Sequence, residues 1–306
     1  MTFTSANLRI ANAPCSWGVL EFEEQAAAGY GYERVLDEMA ASGYAGTELG
    51  DWGFMPTDPV RLADALASRS LSLVGAFVPV RLSDPHIRAK GKGAAIQTAR
   101  LLADAGFPDA FVVLADDIAA SPERTAIAGR VRPSDALPES LREVFARNAE
   151  EIARAVRDTT GVRTVFHHHC ASFIETTEEI ADLMRRTDPS VLGLCLETGH
   201  LTYAGGDPTH AVDLFGTRIW HVHLKDCSNA VAARAHASAW DYHDAVRHGV
   251  FCELGQGAVN FVEVLTSLDA VGYTGWAVVE QDVLPSLGTP AASAVRNREF
   301  LRRPGL

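Results

Sequence analysis

Short apolar runs alternate with helical patterns along nearly the whole of this 306-residue chain. Eight runs rich in β-branched and other apolar residues predict strands, and they lie at 8–14, 45–49, 71–78, 110–115, 162–168, 191–197, 218–224 and 275–280. Apolar residues spaced three and four apart predict helices at 31–42, 59–69, 90–106, 137–158, 177–186, 208–215, 260–270 and 290–302. Strict alternation indicates a parallel sheet, and eight units are the number that closes a (β/α)8 TIM barrel.

An open, doubly wound sheet is the competing α/β architecture. Its dinucleotide-binding form has a G-x-G-x-x-G turn after the first strand, and no such turn follows residues 8–14. No shift in composition marks a second domain, so we expect one barrel domain over residues 1–306. The stretches 116–136 and 226–258 show no clear pattern, and we expect irregular loops there, of a length that usually carries function.

The charge and the cysteines indicate where such a chain works. A formal net charge of −12 repels phosphate groups, so we expect no binding to nucleic acid or to an anionic membrane. No apolar run is long enough to span a bilayer, and the N-terminus lacks the pattern of a signal peptide. The five cysteines are odd in number and widely spaced, which is typical of reduced thiols. We therefore expect a cytoplasmic protein.

Imidazole and carboxylate groups stand where four consecutive predicted strands end. These groups are His167–His169, Glu197, His221, His223 and Glu280. The C-terminal ends of the strands form the active-site rim of a barrel. Because a buried carboxylate or imidazole without a partner is costly, a divalent cation at this rim would offset the cost. A mixed nitrogen and oxygen ligand set with open positions favours Mn²⁺, Zn²⁺, Co²⁺ or Fe²⁺ over Ca²⁺.

Strand alternation sorts these groups by face. His167 and His169 share one face, and the histidine between them takes the other. By the same rule His221, His223 and Lys225 share a face. Val278, Glu280 and Asp282 share a face in the same way.

A series of short segments carries a resemblance to known proteins. The segments are APCSWG at 13–18, GTELG at 46–50, HHHCASFIETTEEI at 167–180, CLETGHLTYAGGDP at 195–208, HVHLKD at 221–226, FCELGQG at 251–257 and VVEQD at 278–282. Together they resemble the xylose isomerase-like TIM barrels, the superfamily of sugar phosphate isomerases and epimerases, and within it the inosose dehydratase branch. The resemblance implies a barrel enzyme with one divalent metal ion and a small polyol ketone or sugar as its substrate. It is also compatible with a homo-oligomer.

The resemblance also implies a ligand set. The family typically holds its metal with Glu, Asp, His and Glu from strands five to eight, and His223 and Glu280 match the last two positions. Glu197 stands where the family has aspartate, and His167 stands where it has glutamate. The expected ligands are therefore these four residues, with Glu175 as an alternative to His167.

Chemistry and resemblance together suggest a mechanism. A divalent ion chelated by a ketone and a neighbouring hydroxyl stabilises the enediolate that forms when the proton between them leaves. Loss of a β-hydroxyl then gives dehydration, whereas return of the proton to carbon gives isomerisation or epimerisation. His169 resembles the substrate-facing histidine of related dehydratases and is the expected base. Lys225 or Glu48 is expected to position or protonate the leaving hydroxyl.

Three more residues are candidates for substrate binding. Trp17, after the first strand, offers an apolar face for a sugar ring. His200, at a predicted helix start, would bind substrate or a second cation. For His221, a hydrogen-bonded core histidine and a functional group are equally open.

The leading hypothesis is a dehydratase that acts on a keto-inositol. An isomerase or epimerase using the same metal is the alternative, but it needs two opposed bases, and His167 replaces one of the glutamates that would serve. A barrel that binds a sugar acid or a metal without turnover is a third reading. An endonuclease IV-like role is disfavoured by the acidic charge.

Overall fold

Eight parallel strands close into a barrel in this computed structural model, which describes residues 8–18, 30–282 and 288–303. The barrel strands are β1 (Leu8–Asn12), β2 (Gly46–Glu48), β3 (Ser72–Val80), β4 (Phe111–Asp116), β5 (Arg163–His167), β6 (Leu192–Glu197), β7 (Ile219–Leu224) and β10 (Gly275–Val279). Each strand pairs with its neighbours in chain order, and β1 pairs with β10 to close the ring. The predicted (β/α)8 TIM-barrel fold is confirmed, with all eight strands where the sequence indicates them.

Helices pack around this barrel. They are α1 (Tyr32–Ala41), α2 (Pro59–Ala67), α3 (Arg88–Asp104), α4 (Pro122–Thr125), α5 (Glu139–Thr160), α6 (Thr177–Arg186), α7 (Thr198–Tyr203), α8 (Pro208–Phe215), α9 (Asn229–Ala237), α10 (Tyr242–Arg247), α11 (Phe261–Ala270) and α12 (Pro290–Arg302). Capping fixes several starts: Asp58 accepts the N–H of Arg61 before α2, and Thr176 and Glu179 form a capping box at α6. The eight predicted helices are all confirmed.

The prediction of irregular loops was wrong for both stretches. Residues 116–136 contain α4, and residues 226–258 contain α9, α10 and an antiparallel pair of two-residue strands, β8 (Asp226–Cys227) and β9 (Phe251–Cys252). The two strands, α4 and α10 are only two to six residues long, and α9 has a single buried residue, so none of them shows a clear apolar period. Tertiary contacts hold them instead, because residues of α7, α9, α10 and β9 share a separate apolar cluster.

The extent of the domain over residues 1–306 stays a prediction. Residues 1–7, 19–29, 283–287 and 304–306 of that range lie outside the described part of the chain. Among the helices that the structure describes, none combines the length and the apolar character needed to cross a bilayer.

Candidate active site

A cavity lies at the C-terminal rim of the barrel, as the fold predicts. Five side chains that the sequence singles out line it, namely Glu48, His167, His169, Lys225 and Glu280. They come from the ends of β2, β5, β7 and β10 and the residues directly after them. Strand alternation therefore predicted correctly which side chains at these ends face the barrel interior.

His223 lies between two carboxylates at the bottom of this site. Its Nε2 is 2.9 Å from Oε1 of Glu48, and its Nδ1 is 3.2 Å from Oε1 of Glu280. Burial acts to lower the pKa of His223, but Cys195, Glu280 and Glu48 raise it well above its ordinary value. The site thus favours positive charge at this position.

Glu48 is a shared acceptor. Its Oε1 lies 2.8 Å from Nε2 of His221 as well as 2.9 Å from Nε2 of His223. Burial acts to raise the pKa of Glu48, but the two histidines outweigh it and lower the pKa to about 2. Through this one oxygen Glu48 is placed to orient both histidine rings.

Two sets of three described side chains bring ligand atoms within 4.8 Å of one another. They are Glu48, His221 and His223, and His167, His223 and Glu280. The second set contains three of the four ligands expected from the sequence. It also contains a neutral imidazole, because burial, and after it His223, lowers the pKa of His167 well below its ordinary value. Nδ1 of His167 is buried and accepts no hydrogen bond from any described residue. A divalent cation fits such a donor set.

Glu197 is not in either set. Its carboxylate accepts the backbone N–H groups of Gly199 and His200 and so caps the N-terminus of α7. Burial raises its pKa to about 7, although Lys225 acts to lower it. In the structure the strand-six carboxylate turns back onto the helix that follows, since that helix has amide groups to satisfy.

Glu175 also lies outside both sets. Its Oε1 accepts the N–H of Gly129 at 2.7 Å, and its Oε2 accepts the N–H of Ala171 at 2.9 Å. Because both oxygens are bound to backbone of the surrounding loops, the side chain braces these loops and does not reach the histidines as an alternative ligand.

His169 has a defined orientation. Its Nδ1 contacts the carbonyl oxygen of Cys170, so Nδ1 carries the hydrogen that this contact requires. The lone pair is then on Nε2, which lies 3.3 Å from the hydroxyl of Tyr242. Burial, and after it Lys225, lowers the pKa of His169 to about 3. The Nε2 lone pair is the atom through which this neutral imidazole can accept a proton at the cavity wall.

Lys225 is an ammonium group held by acids. Its Nζ lies 3.2 Å from Oε2 of Glu280 and 3.5 Å from Oδ2 of Asp282. It also lies 3.3 Å from Nε2 of His200. Although burial acts to lower the pKa of Lys225, Asp282 and Glu280 raise it well above its ordinary value.

The three candidates for substrate binding are placed behind the cavity wall. Trp17 is buried, and its Nε1 donates to Oε2 of Glu38 on α1 at 2.7 Å. Its ring packs in the hydrophobic core and does not line the cavity. His221 is buried against Glu48. The ring centroid of His200 lies 3.8 Å from that of His169, with the two planes tilted by 43°, so His200 forms a second layer behind the proposed base.

Asp51, Tyr242 and Asp282 also line the cavity, and none of them was predicted as a site residue. For Asp282 a signal exists, because it is two residues after Glu280 and shares its strand parity. Tyr242 had none, since it comes from the insertion between β7 and α11 whose helices the sequence pattern does not reveal.

Comparison with known proteins identifies relatives of this chain. The family model described as xylose isomerase-like TIM barrel matches residues 36–303. An inosose dehydratase from Geobacillus thermodenitrificans (strain NG80-2) is 31% identical over 305 residues, which cover 98% of each chain. A probable 3-DHS dehydratase of petrobactin synthesis from Bacillus anthracis superposes with a TM-score of 0.68 at 16% identity, over 94% of this chain and 97% of its own. The structure of an L-ribulose 3-epimerase gives a TM-score of 0.67 at 17% identity, over 97% of this chain and 94% of its own. At these identities the two structures share the fold with this chain.

Proposed function

Because this chain belongs to the xylose isomerase-like TIM barrel family, we propose that it is a carbohydrate dehydratase, a hydro-lyase that removes water from a keto-inositol or a similar sugar ketone. The near full-length relative named inosose dehydratase supports the substrate class. The observation that carries the proposal is the position of His169, a neutral base whose lone pair faces the same cavity as the His167–His223–Glu280 cluster.

We propose that His167, His223 and Glu280 hold one divalent cation, which is Mn²⁺, Co²⁺, Zn²⁺ or Fe²⁺. Bound there, the cation supplies Lewis acidity that favours negative charge on a ketone oxygen. Glu48 orients His223 by accepting from Nε2, so that Nδ1 faces Glu280. A carboxylate that holds the far nitrogen of a ligand histidine is a common support in metal sites.

Two side chains at the cavity wall, His169 and Lys225, carry out proton removal and substrate binding. His169 takes the proton from the carbon next to the ketone through Nε2. Lys225, held as an ammonium group by Glu280 and Asp282, donates hydrogen bonds to substrate oxygens. The cavity opens at the C-terminal rim of the barrel. Its described wall has three carboxylates besides Glu280 and a single ammonium group, so it favours a neutral substrate over an anionic one.

The test follows keto-inositol in D₂O with purified protein and added Mn²⁺ or Co²⁺. Mass spectrometry reports loss of water, and NMR reports exchange of the proton next to the ketone. Water loss that disappears with a chelator and in His169→Gln is the expected result. Exchange without water loss would assign an isomerase or epimerase instead. A protein that does neither, with metal bound, would contradict an enzymatic role on this substrate.

We also propose a cytoplasmic location, which the five free cysteine thiols support. Cell fractionation with an antibody to the chain tests it, and recovery outside the cytoplasmic fraction would contradict it.

A further inference from the structure

Tyr242 brings a hydroxyl group to the base of the proposed reaction. It is the first residue of α10, its side chain lines the cavity, and its hydroxyl lies 3.3 Å from Nε2 of His169. Since Nδ1 of His169 carries the ring hydrogen, Nε2 is the acceptor and Tyr242 is the donor in this contact. Among the described residues that line the cavity, no other side chain has a hydroxyl group.

The insertion that carries Tyr242 is fixed to the rest of the rim. Nη1 of Arg130, in the loop after β4, donates to the carbonyl oxygen of Trp240 at 2.8 Å. Asp241 then caps α10 by accepting the N–H of Asp244 at 2.7 Å. These two bonds fix the backbone just before Tyr242. The Tyr242 hydroxyl is therefore held at the cavity by an ordered segment.

The other two candidates for the acid, Lys225 and Glu48, are each engaged by two neighbouring side chains. Lys225 is paired with Glu280 and Asp282. Glu48 accepts from two histidines through one oxygen. The Tyr242 hydroxyl, by contrast, lies within hydrogen-bond distance of the proposed base and lines the cavity beside it.

We propose that Tyr242 is a catalytic residue, the acid that protonates the leaving hydroxyl, and that it works as a pair with His169. The inference rests on the proposed dehydration. Nε2 of His169 takes the proton from carbon, and the C–H electron pair moves onto the ketone oxygen as an enolate. As the ketone re-forms, the enolate C=C electron pair shifts to make the new C=C bond toward the carbon that loses its hydroxyl. The C–O bond to the β-hydroxyl breaks with its electron pair on oxygen, which takes the Tyr242 proton and leaves as water. The imidazolium then returns its proton to the Tyr242 oxygen, so that both residues regain their starting state.

The test measures proton removal by His169 and protonation of the leaving hydroxyl by Tyr242 separately. In Tyr242→Phe, His169 is intact, so exchange of the substrate proton with D₂O should continue while water release falls about 10²-fold or more, the usual contribution of a positioned acid. His169→Gln should lose both. Tyr203→Phe is the matched control, because Tyr203 belongs to the same apolar cluster and its buried hydroxyl bonds no described residue. It should leave both rates unchanged.

An NMR measurement without substrate tests the hydrogen bond between the Tyr242 hydroxyl and Nε2 of His169. In protein labelled with ¹⁵N-histidine, the Nε2 resonance of His169, assigned by its loss in His169→Gln, should move in Tyr242→Phe and stay in Tyr203→Phe. An unmoved resonance, undiminished water release, or an equal fall of exchange and water release in Tyr242→Phe would overturn this inference alone. Wild-type protein with neither exchange nor water release would overturn the proposed function, and this inference with it.

Discussion

Oε1 of Glu48 lies 2.9 Å from Nε2 of His223, while Nδ1 of the same ring faces Glu280 at 3.2 Å. His223 thus connects the end of β2 to the end of β10, and the carboxylate of Glu48 fixes which of its nitrogens faces Glu280. The arrangement makes Glu48 a support for the proposed cation site.

We expect Glu48→Gln to weaken binding of Mn²⁺ or Zn²⁺ by about 10–100-fold, because the amide keeps an acceptor but removes the charge that orients His223. Competition with a chelating dye measures the affinity. Glu143→Gln is a matched control on an exposed position of α5 and should bind the ion as the wild type does. Equal affinities for the Glu48 variant and the wild type would show that Glu48 does not support the site.

Asp226 organises the segment after β9 with its two carboxylate oxygens. Oδ1 accepts the N–H groups of Cys227 and Val259, and Oδ2 accepts those of Gly255 and Gly257, at 2.8 to 3.0 Å. A Cβ atom at Gly257 would lie 2.3 Å from Oδ1, so a glycine is needed for this close approach.

Asp226→Asn should therefore lower the free energy of unfolding by about 1–3 kcal/mol, since its amide group would face backbone donors and leave them unsatisfied. Urea unfolding followed by circular dichroism measures the change. Asp269→Asn, on an exposed position of α11, should stay within about 0.5 kcal/mol of the wild type. Similar stabilities for the two variants would refute the bracing role of Asp226.

Glu175 should make stability depend on pH. Burial raises its pKa from 4.5 to about 7, although the N–H groups of Gly129 and Ala171 act to lower it. The folded state therefore binds more protons than the unfolded state between these two values, and stability falls as the pH rises through this window. Gln mimics the protonated form, so Glu175→Gln should lose less thermal stability between pH 5 and pH 8 than the wild type does. A steeper loss in the variant would contradict this sign.

The fold was readable from the sequence because every barrel strand is a compact apolar run with its own helix. The same regularity placed His167, His169 and Lys225 on the cavity, since strand parity decides which side chains face inward. Strand parity did not predict that the carboxylate of Glu197 caps α7, because this local hydrogen bonding competes with the cluster for the carboxylate. Tyr242 was not predicted to line the cavity, because the position of its short insertion depends on tertiary contacts, and these leave no periodic pattern in the sequence.

The central claim is that His167, His223 and Glu280 hold the cation, and the metal content of purified variants tests it most directly. Elemental analysis after loading with Mn²⁺ should give about one ion per chain for the wild type. Glu175→Gln and Glu197→Gln should retain that ion, because both carboxylates are bonded to backbone. His167→Ala and Glu280→Gln should lose it. An ion kept by His167→Ala and lost by Glu197→Gln would contradict the account.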